Sequence, residues 1–448
     1  MYDDRVDTLE IREWPVQSDR LLPDLIALQA AYPQRYPGLI QSSDQRGWDV
    51  LFAFPQEQVR FSLADGEAAL RAHPAMQASP YASIQNQAEL PFSGGWLCVF
   101  SYELGGLFEP SVEMADDADF PLAWLVRIPA AILIDRVKGR CVLMAEAGCH
   151  QLLDDMVDDL QQGPHIIANL SRPVSIQEDA ADVFLSGVAR IQDYIRAGDV
   201  FQVNLSRGWR AVFDAPASPA ALFAQLMQTN PAPFSALVQM DDWAIVSSSP
   251  ERLVRLTGGG VLEARPIAGT HPRSDDAAED MAQRERLRAH PKEQAEHVML
   301  VDLERNDLGR VCEPGSVNVP ALMEIASYRH VHHIESTVRG ILRRNLNVFD
   351  ALRAVFPGGT ITGCPKVRTM QIIDELEQTP RRSYTGSVGY INRDGSFDLN
   401  ILIRSFLLRE NQLYFRAGAG IVADSVAQRE LDETRAKAKG LLRVLGLA

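Results

Sequence analysis

An α+β fold is predicted for this chain, built from runs of antiparallel strands with helices inserted between them. Three observations predict it. Residues 236–240, 243–248, 253–257 and 261–265 are short β-prone runs parted by DD, SPE and GGG turns. A second series, 386–392, 397–408 and 413–417, is parted by RDG and EN. Turns this short join antiparallel neighbours. Helical periodicity falls beside these series, not after every strand, which excludes an alternating Rossmann pattern.

The elements follow in order. Residues 1 to about 165 mix short helices with strands at 48–54, 94–102 and 130–134, the last pairing with 141–145 across RVKGR. YPGLIQSSD, with Ser42, marks a turn. At about 161–180 the chain loses periodicity and gains Pro, Gly and polar residues, so a boundary is placed there, dividing 1–175 from 176–448. Phe184, Val188, Ile191 and Ile195 make an amphipathic helix that Gly198 closes. FQVNLSRGWRAVF is a strand, and helices are expected at about 276–304, 346–355, 365–377 and 426–445.

Composition narrows the function. A length of 448 residues allows two or three domains, and 46% hydrophobic with 23% charged residues is ordinary for a globular protein. Net charge is −15, from 44 Lys and Arg against 59 Asp and Glu, which excludes a general attraction to nucleic acid or anionic membrane. An anionic substrate would need a local basic site. Cys98, Cys141, Cys149, Cys312 and Cys364 are odd in number and lack CxxC spacing, as expected of reduced thiols in the cytoplasm. MYDDRVDTLEIREW has no apolar core, so it is not read as a secretory signal, and no apolar stretch of about 20 residues could span a bilayer.

Several stretches carry chemistry. In 356–377, FPGGTITGCPKVRTMQIIDELE, a glycine-rich turn runs into a helix whose free N–H groups and dipole suit an anion, with Lys366 beside them; the GKS or GKT ending of a phosphate loop is absent. An ordinary tight loop capping a helix has the same pattern. Glu430 and Glu433, three apart on one helix face, could hold magnesium with Glu296, since that ion takes carboxylate oxygens and keeps waters. Acidic residues near a helix start are equally explained by the dipole. Asp302, Glu304, Arg305, Asp307 and Arg310 read as a salt-bridged helix end. His332 and His333 are adjacent on a strand and must face opposite ways, so one at most enters a pocket. Glu251, after Pro250 at a turn, acts as a general acid only if burial raises its pKa. Arg404, mid-strand between apolar neighbours in NILIRSF, requires an anionic partner.

Together FQVNLS, SPERL, RPIAGT, EHVMLVDLERNDLGRV, FPGGTITGCPKVR, GSVGY, ILIR, AGAGIVADS and ELDET resemble, in collinear order over about 183–447, the chorismate-utilising enzymes. That family includes component I of anthranilate synthase and of aminodeoxychorismate synthase. The resemblance implies two antiparallel β-sheets packed face to face with helices on the outside. It implies a magnesium ion held by Glu296, Glu430 and Glu433 that receives a chorismate carboxylate. It implies substrate contacts from Thr360, Tyr390, Arg404 and the backbone of Gly418, Ala419 and Gly420, with Glu251 as the acid that protonates the departing C4 hydroxyl and His333 as the active-site histidine. Gln202 stands where water-adding members carry a lysine base, which implies ammonia as nucleophile. With no glutaminase motif in the chain, a partner glutamine amidotransferase is expected to supply it. In PIAGT, ending at Thr270, Ala268 stands where many aminodeoxychorismate synthases have a lysine. FPGGT and VHHIEST nonetheless resemble that branch, and IQSS departs from the LLES motif of tryptophan-inhibited anthranilate synthases, so aminodeoxychorismate synthase is the expected activity; anthranilate synthase is the alternative. A chorismate- or tryptophan-binding regulatory subunit is a third reading, with Ser42 at the tryptophan position and Gln41 in place of the usual glutamate.

Overall fold

In the computed structural model the described residues are 9–15, 22–42, 47–81, 90–114, 117–163, 165–328 and 331–447. Most of the amino-terminal segment read above as lacking a secretory core lies outside them. Among the described residues two antiparallel sheets, of twelve and ten strands, form the centre of the molecule.

The period-2 alternation explains how they stack. Along the strand Gly95–Phe100, Leu97 and Val99 face the core between the sheets, while Trp96, Cys98 and Phe100 face a helical layer. Val50 and Phe52 of Trp48–Ala53 enter that same central core from the other sheet, and Leu51 and Ala53 turn away from it. Both faces of these central strands are therefore covered and they are almost wholly buried, whereas outer strands such as Ser175–Glu178 and Asn318–Ser327 stay exposed or half-buried. The helices Leu25–Ala31, His150–Gln161, Pro219–Thr229 and Ala427–Val444 cover the twelve-stranded sheet. Ala181–Ala197, Pro291–Gly309, Val348–Val355 and Lys366–Glu377 pack in the opposite layer. The face-to-face α+β sandwich expected from the sequence is the observed fold. Strands from either side of residue 175 share both sheets: Gly95–Phe100 pairs with Ser387–Asn392, and Gly38–Gln41 with Phe234–Gln239.

Two expected strand series are corrected. Phe234–Gln239 and Ala244–Ser249 pair in the larger sheet, but Arg252–Leu256 and Val261–Ala264 pair in the smaller one. The chain thus changes sheets at Pro250 and Glu251, where a continuous meander was expected. Likewise 397–408 is not one strand. Phe397–Asn400 belongs to the smaller sheet and Ser405–Arg409 to the larger, and residues 401–404 cross between them. The two crossings run side by side: Ile401 N–H donates to Glu251 O at 3.0 Å, and Ser248 N–H to Arg404 O at 3.2 Å. The long helix expected at 276–304 is two, Ala277–Arg288 and Pro291–Gly309, because His290 caps a new start ahead of Pro291.

The glycine-rich turn before Lys366–Glu377 also differs from its expected use. Gly363, at φ +130°, pairs with Val203, and a Cβ there would lie 2.1 Å from Gln202 O. Its missing side chain admits a neighbouring strand, not a ligand. Lys366 is taken up by Asp307, at 2.5 Å, and by Val355 O. Gly363→Ala should therefore destabilise the fold by well over about 1 kcal/mol, whereas Gly163→Ala, also at positive φ but with open space around it, should cost about 1 kcal/mol. Urea unfolding of the two variants checks this, and equal losses would contradict it.

Candidate active site

The paired crossings bring Glu251 and Arg404 to the seam between the sheets. Glu251 is 5% exposed, and burial pushes its carboxyl up to about 7; the nearby Glu335 charge adds to this, while Thr360, the Ile267 N–H and Arg404 oppose it. Neither Glu251 Oε1 nor Thr360 Oγ1 completes a hydrogen bond among the described residues. Arg404 has φ +52°, and no hydrogen bond or ion pair among the described residues reaches its guanidinium. Burial draws its pKa below the ordinary arginine value, with Glu251 as the opposing charge. It is thus not mid-strand, as expected, but at a crossing, in the left-handed region that non-glycine residues seldom occupy.

His333 approaches through the smaller sheet. Its strand Val331–Ile341 pairs with Ile267–Pro272, and Nδ1 lies 3.0 Å from Gly269 O and 3.1 Å from Thr270 Oγ1. A carbonyl can only accept, so Nδ1 carries the proton and Nε2 presents a lone pair, which no described group satisfies. Burial holds the ring neutral, down to about 4. His332 points the other way, to Ser327 and Asp280. Ala268 lies on the same short strand opposite Ile334. Ile267–Pro272 thus links the surroundings of Glu251 to those of His333.

The third wall is the paired strands Gln202–Val212 and Gln412–Ile421, in which Asn204 lies opposite Gly420 and Ser206 opposite Gly418. Ala419, opposite Leu205, turns its methyl into the helical-side core. A Cβ on Gly420 would stand 2.4 Å from Gln202 Nε2, and one on Gly418 would stand 2.9 Å from the Tyr384 hydroxyl. Gln202 donates to Glu296 Oε1 at 2.6 Å while its own Oε1 is buried without a partner. Burial raises the Glu296 pKa; Gln202 opposes the rise, Glu293 and Glu433 add to it, and Lys437 counters. Glu430 is raised by burial and by Glu433 against Ser425, Lys292 and Lys437. Glu433 pairs with Lys437 at 2.8 Å, and Lys437 also donates to Gly418 O at 3.0 Å.

Some expected residues stand apart. Tyr390 packs at 5.8 Å from Phe92 and 6.1 Å from Phe52 in the core between the sheets. The tyrosine beside Gly418 is Tyr384, missed because SYTGSVGY holds two tyrosines and a buried ring in a strand leaves no sequence signal of its direction. Ser42 ends the strand Gly38–Gln41, its N–H donating to Asp49, which is fully buried and pairs with Arg136. The expected salt-bridged helix end is only partly so: Asp302 pairs with Arg305 and Asp307 with Lys366, but Glu304 is buried. Lys437 was also missed, a lysine in an evidently solvated helix.

Four buried and unsatisfied atoms, Gln202 Oε1, Glu251 Oε1, His333 Nε2 and Thr360 Oγ1, belong to residues singled out by motif. Buried polar groups are normally paired, so such atoms need an explanation in what binds beside them. The model of the family described as chorismate binding enzyme matches residues 36–443. The chain belongs to that family.

This chorismate binding enzyme is 38% identical over 394 residues to anthranilate synthase component 1 of Acinetobacter calcoaceticus, covering 82% of the chain and 77% of the relative. It is 39% identical over 371 residues to aminodeoxychorismate synthase component 1 of Klebsiella aerogenes, covering 81% and 79%. The solved anthranilate synthase component I of Streptococcus pneumoniae superposes with a TM-score of 0.78 at 32% identity, covering 88% of this chain and 91% of that one. It is a chorismate-utilising enzyme of the anthranilate or aminodeoxychorismate synthase type. No helix among the described residues is long and apolar enough to cross a membrane, and the five cysteines are free.

The carboxylates of this chorismate binding enzyme suit magnesium in chemistry, being hard oxygen donors. Among the described residues no three acidic, His or Cys side chains converge on one point. Magnesium needs only one or two carboxylates beside waters and substrate oxygens, however, and Glu296, whose proton affinity the Glu433 charge raises, fits that requirement.

Glu251 gives a pH signature in the free protein. Its folded pKa lies above the usual glutamate value, so the folded state binds the proton more tightly. Stability on this account is present at pH 4 and is lost as pH rises through about 7. Glu251→Gln should therefore gain on wild type between pH 5 and pH 8, by on the order of 3 kcal/mol. Denaturant unfolding at the two pH values measures the change, and a constant difference would contradict it.

Proposed function

We propose that this enzyme aminates chorismate as component I of an aminodeoxychorismate synthase, yielding 4-amino-4-deoxychorismate, with ammonia from a partner glutamine amidotransferase subunit. The carrying observation is the juxtaposition at the crossings of a buried carboxyl near pH 7 with a guanidinium that no hydrogen bond or ion pair reaches among the described residues. Arg404 pairs with a substrate carboxylate. Glu251 delivers its proton to the C4 hydroxyl, which leaves as water instead of as hydroxide. Thr360, Tyr384 and the backbone from Gly418 to Gly420 complete the grip on the substrate; Tyr384 replaces Tyr390 in this role because of where the two rings lie.

Gln202 supports ammonia over water. An amide cannot deprotonate water, but its unpaired Oε1 can accept an N–H of ammonia, which already carries the lone pair that attacks. Neutral His333 offers a second acceptor at Nε2. With Ala268 unable to supply an amine, ammonia itself adds at C2 as water leaves C4, and a second ammonia then adds at C4 and expels the first. Glu296, Glu430 and Glu433 are the residues that would hold magnesium, which would supply positive charge for a chorismate carboxylate. Lys437 neutralises Glu433 in the free protein and holds the Gly418 carbonyl. The component 1 names of relatives in both branches support a second subunit, and the free cysteines support a reducing cytoplasm.

Ala268 favours one alternative. If the amine stays at C2 and pyruvate is eliminated, the product is anthranilate. Incubation with chorismate, magnesium and ammonium salts, followed by product identification with and without 4-amino-4-deoxychorismate lyase, separates the two. Lyase-dependent 4-aminobenzoate is the expected result, and direct anthranilate would overturn the preferred branch. Arg404→Ala should raise KM by about 10–100-fold, the loss of one charge-assisted contact. Glu433→Gln should lower turnover by at least ~100-fold with unfolding unchanged, and unaltered turnover would remove the metal assignment.

A further inference from the structure

Among the deeply buried acids that the reaction just proposed leaves unused is Glu304. Glu304 lies on the helix Pro291–Gly309, 5% exposed, where Leu303 and Glu304 pack against the turn Gly359–Ile361. Glu304 Oε1 stands 3.5 Å from the point a Cβ on Gly359 would occupy, and the Gly359 N–H faces the carboxyl. The next residue, Thr360, turns its hydroxyl towards Glu251. One short turn thus touches two buried acids through consecutive residues. The charged groups facing Glu304 are Asp307 on its own helix, Lys366 at the start of Lys366–Glu377, and Glu251 at the crossing. Lys366 is itself committed to Asp307 and the Val355 carbonyl.

We propose that Glu304 is a positioning residue: its carboxyl buttresses the Gly359 main chain and so fixes the adjacent Thr360 hydroxyl against the Glu251 carboxyl. The inference rests on the reading of Glu251 as the proton donor. Glu304 does this uncharged at neutral pH, because burial, Asp307 and Glu251 push its carboxyl up to about 8 against the pull of Lys366 and the Gly359 N–H. A neutral acid still offers a carbonyl oxygen to the N–H while placing no second negative charge beside the donor. Above its titration the new charge acts on Glu251 and on the turn together.

The test compares wild type, Glu304→Leu and Glu304→Gln by chorismate consumption, whatever the product, with magnesium and ammonium present between pH 6 and 9. Glu304→Leu should lose about 100-fold in kcat with little change in KM, as expected of a misplaced proton donor. Glu304→Gln, which keeps the carbonyl and cannot ionise, should restore most of that loss. The wild-type rate should fall with two ionisations on the alkaline side and the Gln variant with one. Equal impairment of the two variants, a wild-type kcat in Glu304→Leu, or an unchanged alkaline limb in Glu304→Gln would overturn the inference. If Glu304→Leu does not fold, the alkaline limb of Glu304→Gln decides alone. Absence of chorismate consumption by wild type would overturn the reaction itself and this inference with it, and so is distinguishable from failure in the variants.

Discussion

The structure depends on two chain segments that pass between the sheets side by side. A crossing strand leaves one ladder before it joins the next, so its backbone groups need other partners. Here the partners are mutual: Ile401 N–H to Glu251 O, Ser248 N–H to Arg404 O, and Ser249 Oγ to Ile401 O at 2.5 Å. Because each crossing satisfies the other, the seam can be buried, and because it is buried, Glu251 and Arg404 sit in low dielectric. Acidity near neutrality in Glu251, and a buried guanidinium that no hydrogen bond or ion pair reaches among the described residues, are consequences of that one arrangement.

Around the seam the molecule separates groups whose bonds are complete from groups left open. Beside the paired strands Gln202–Val212 and Gln412–Ile421, Arg381 donates to Glu377, to Ile361 O and to Asn204 O, while Glu377 also takes Ser206 and Arg416. Those charges are nearly fully buried and fully used, and the two arginines hold the Glu377 carboxyl below its ordinary value despite its burial. Gln202, Thr360 and His333, by contrast, each keep one unsatisfied atom. A rigid, satisfied frame holding unsatisfied groups is how a site is kept in register before its ligand arrives.

Much of the fold was readable in the sequence. The strands at 130–134 and 141–145, the helix closed by Gly198 and the final helix all lie within a few residues of expectation, since hydrophobic period and turn chemistry are local. The changes of sheet were not readable. SPE between two strands has the composition of a hairpin, and FDLNILIRSFLL shows unbroken apolar content although the chain leaves one sheet and enters the other inside it. Only the backbone at Arg404 marks the switch. Individual site residues were legible through motif resemblance, not through spacing, because many segments distant from one another in the chain supply them. ERND reads as a solvated helix end, and nothing local says that its glutamate points inward.

The pairing of early with late strands has a bearing on how the protein comes into being. Ser93 N–H bonds to the Asn392 side chain, 299 positions away, and Gly95–Phe100, paired on one edge with the nearby Ala123–Ile128, finds the partner for its other edge in Ser387–Asn392. Neither sheet can close on a nascent chain until almost the whole polypeptide has left the ribosome, and contacts of such separation form slowly. The strands made first must wait with their apolar faces uncovered, in the state most exposed to aggregation. The seam is among the last parts to assemble, so an unfinished chain holds no pocket, and competence arrives only with the completed molecule.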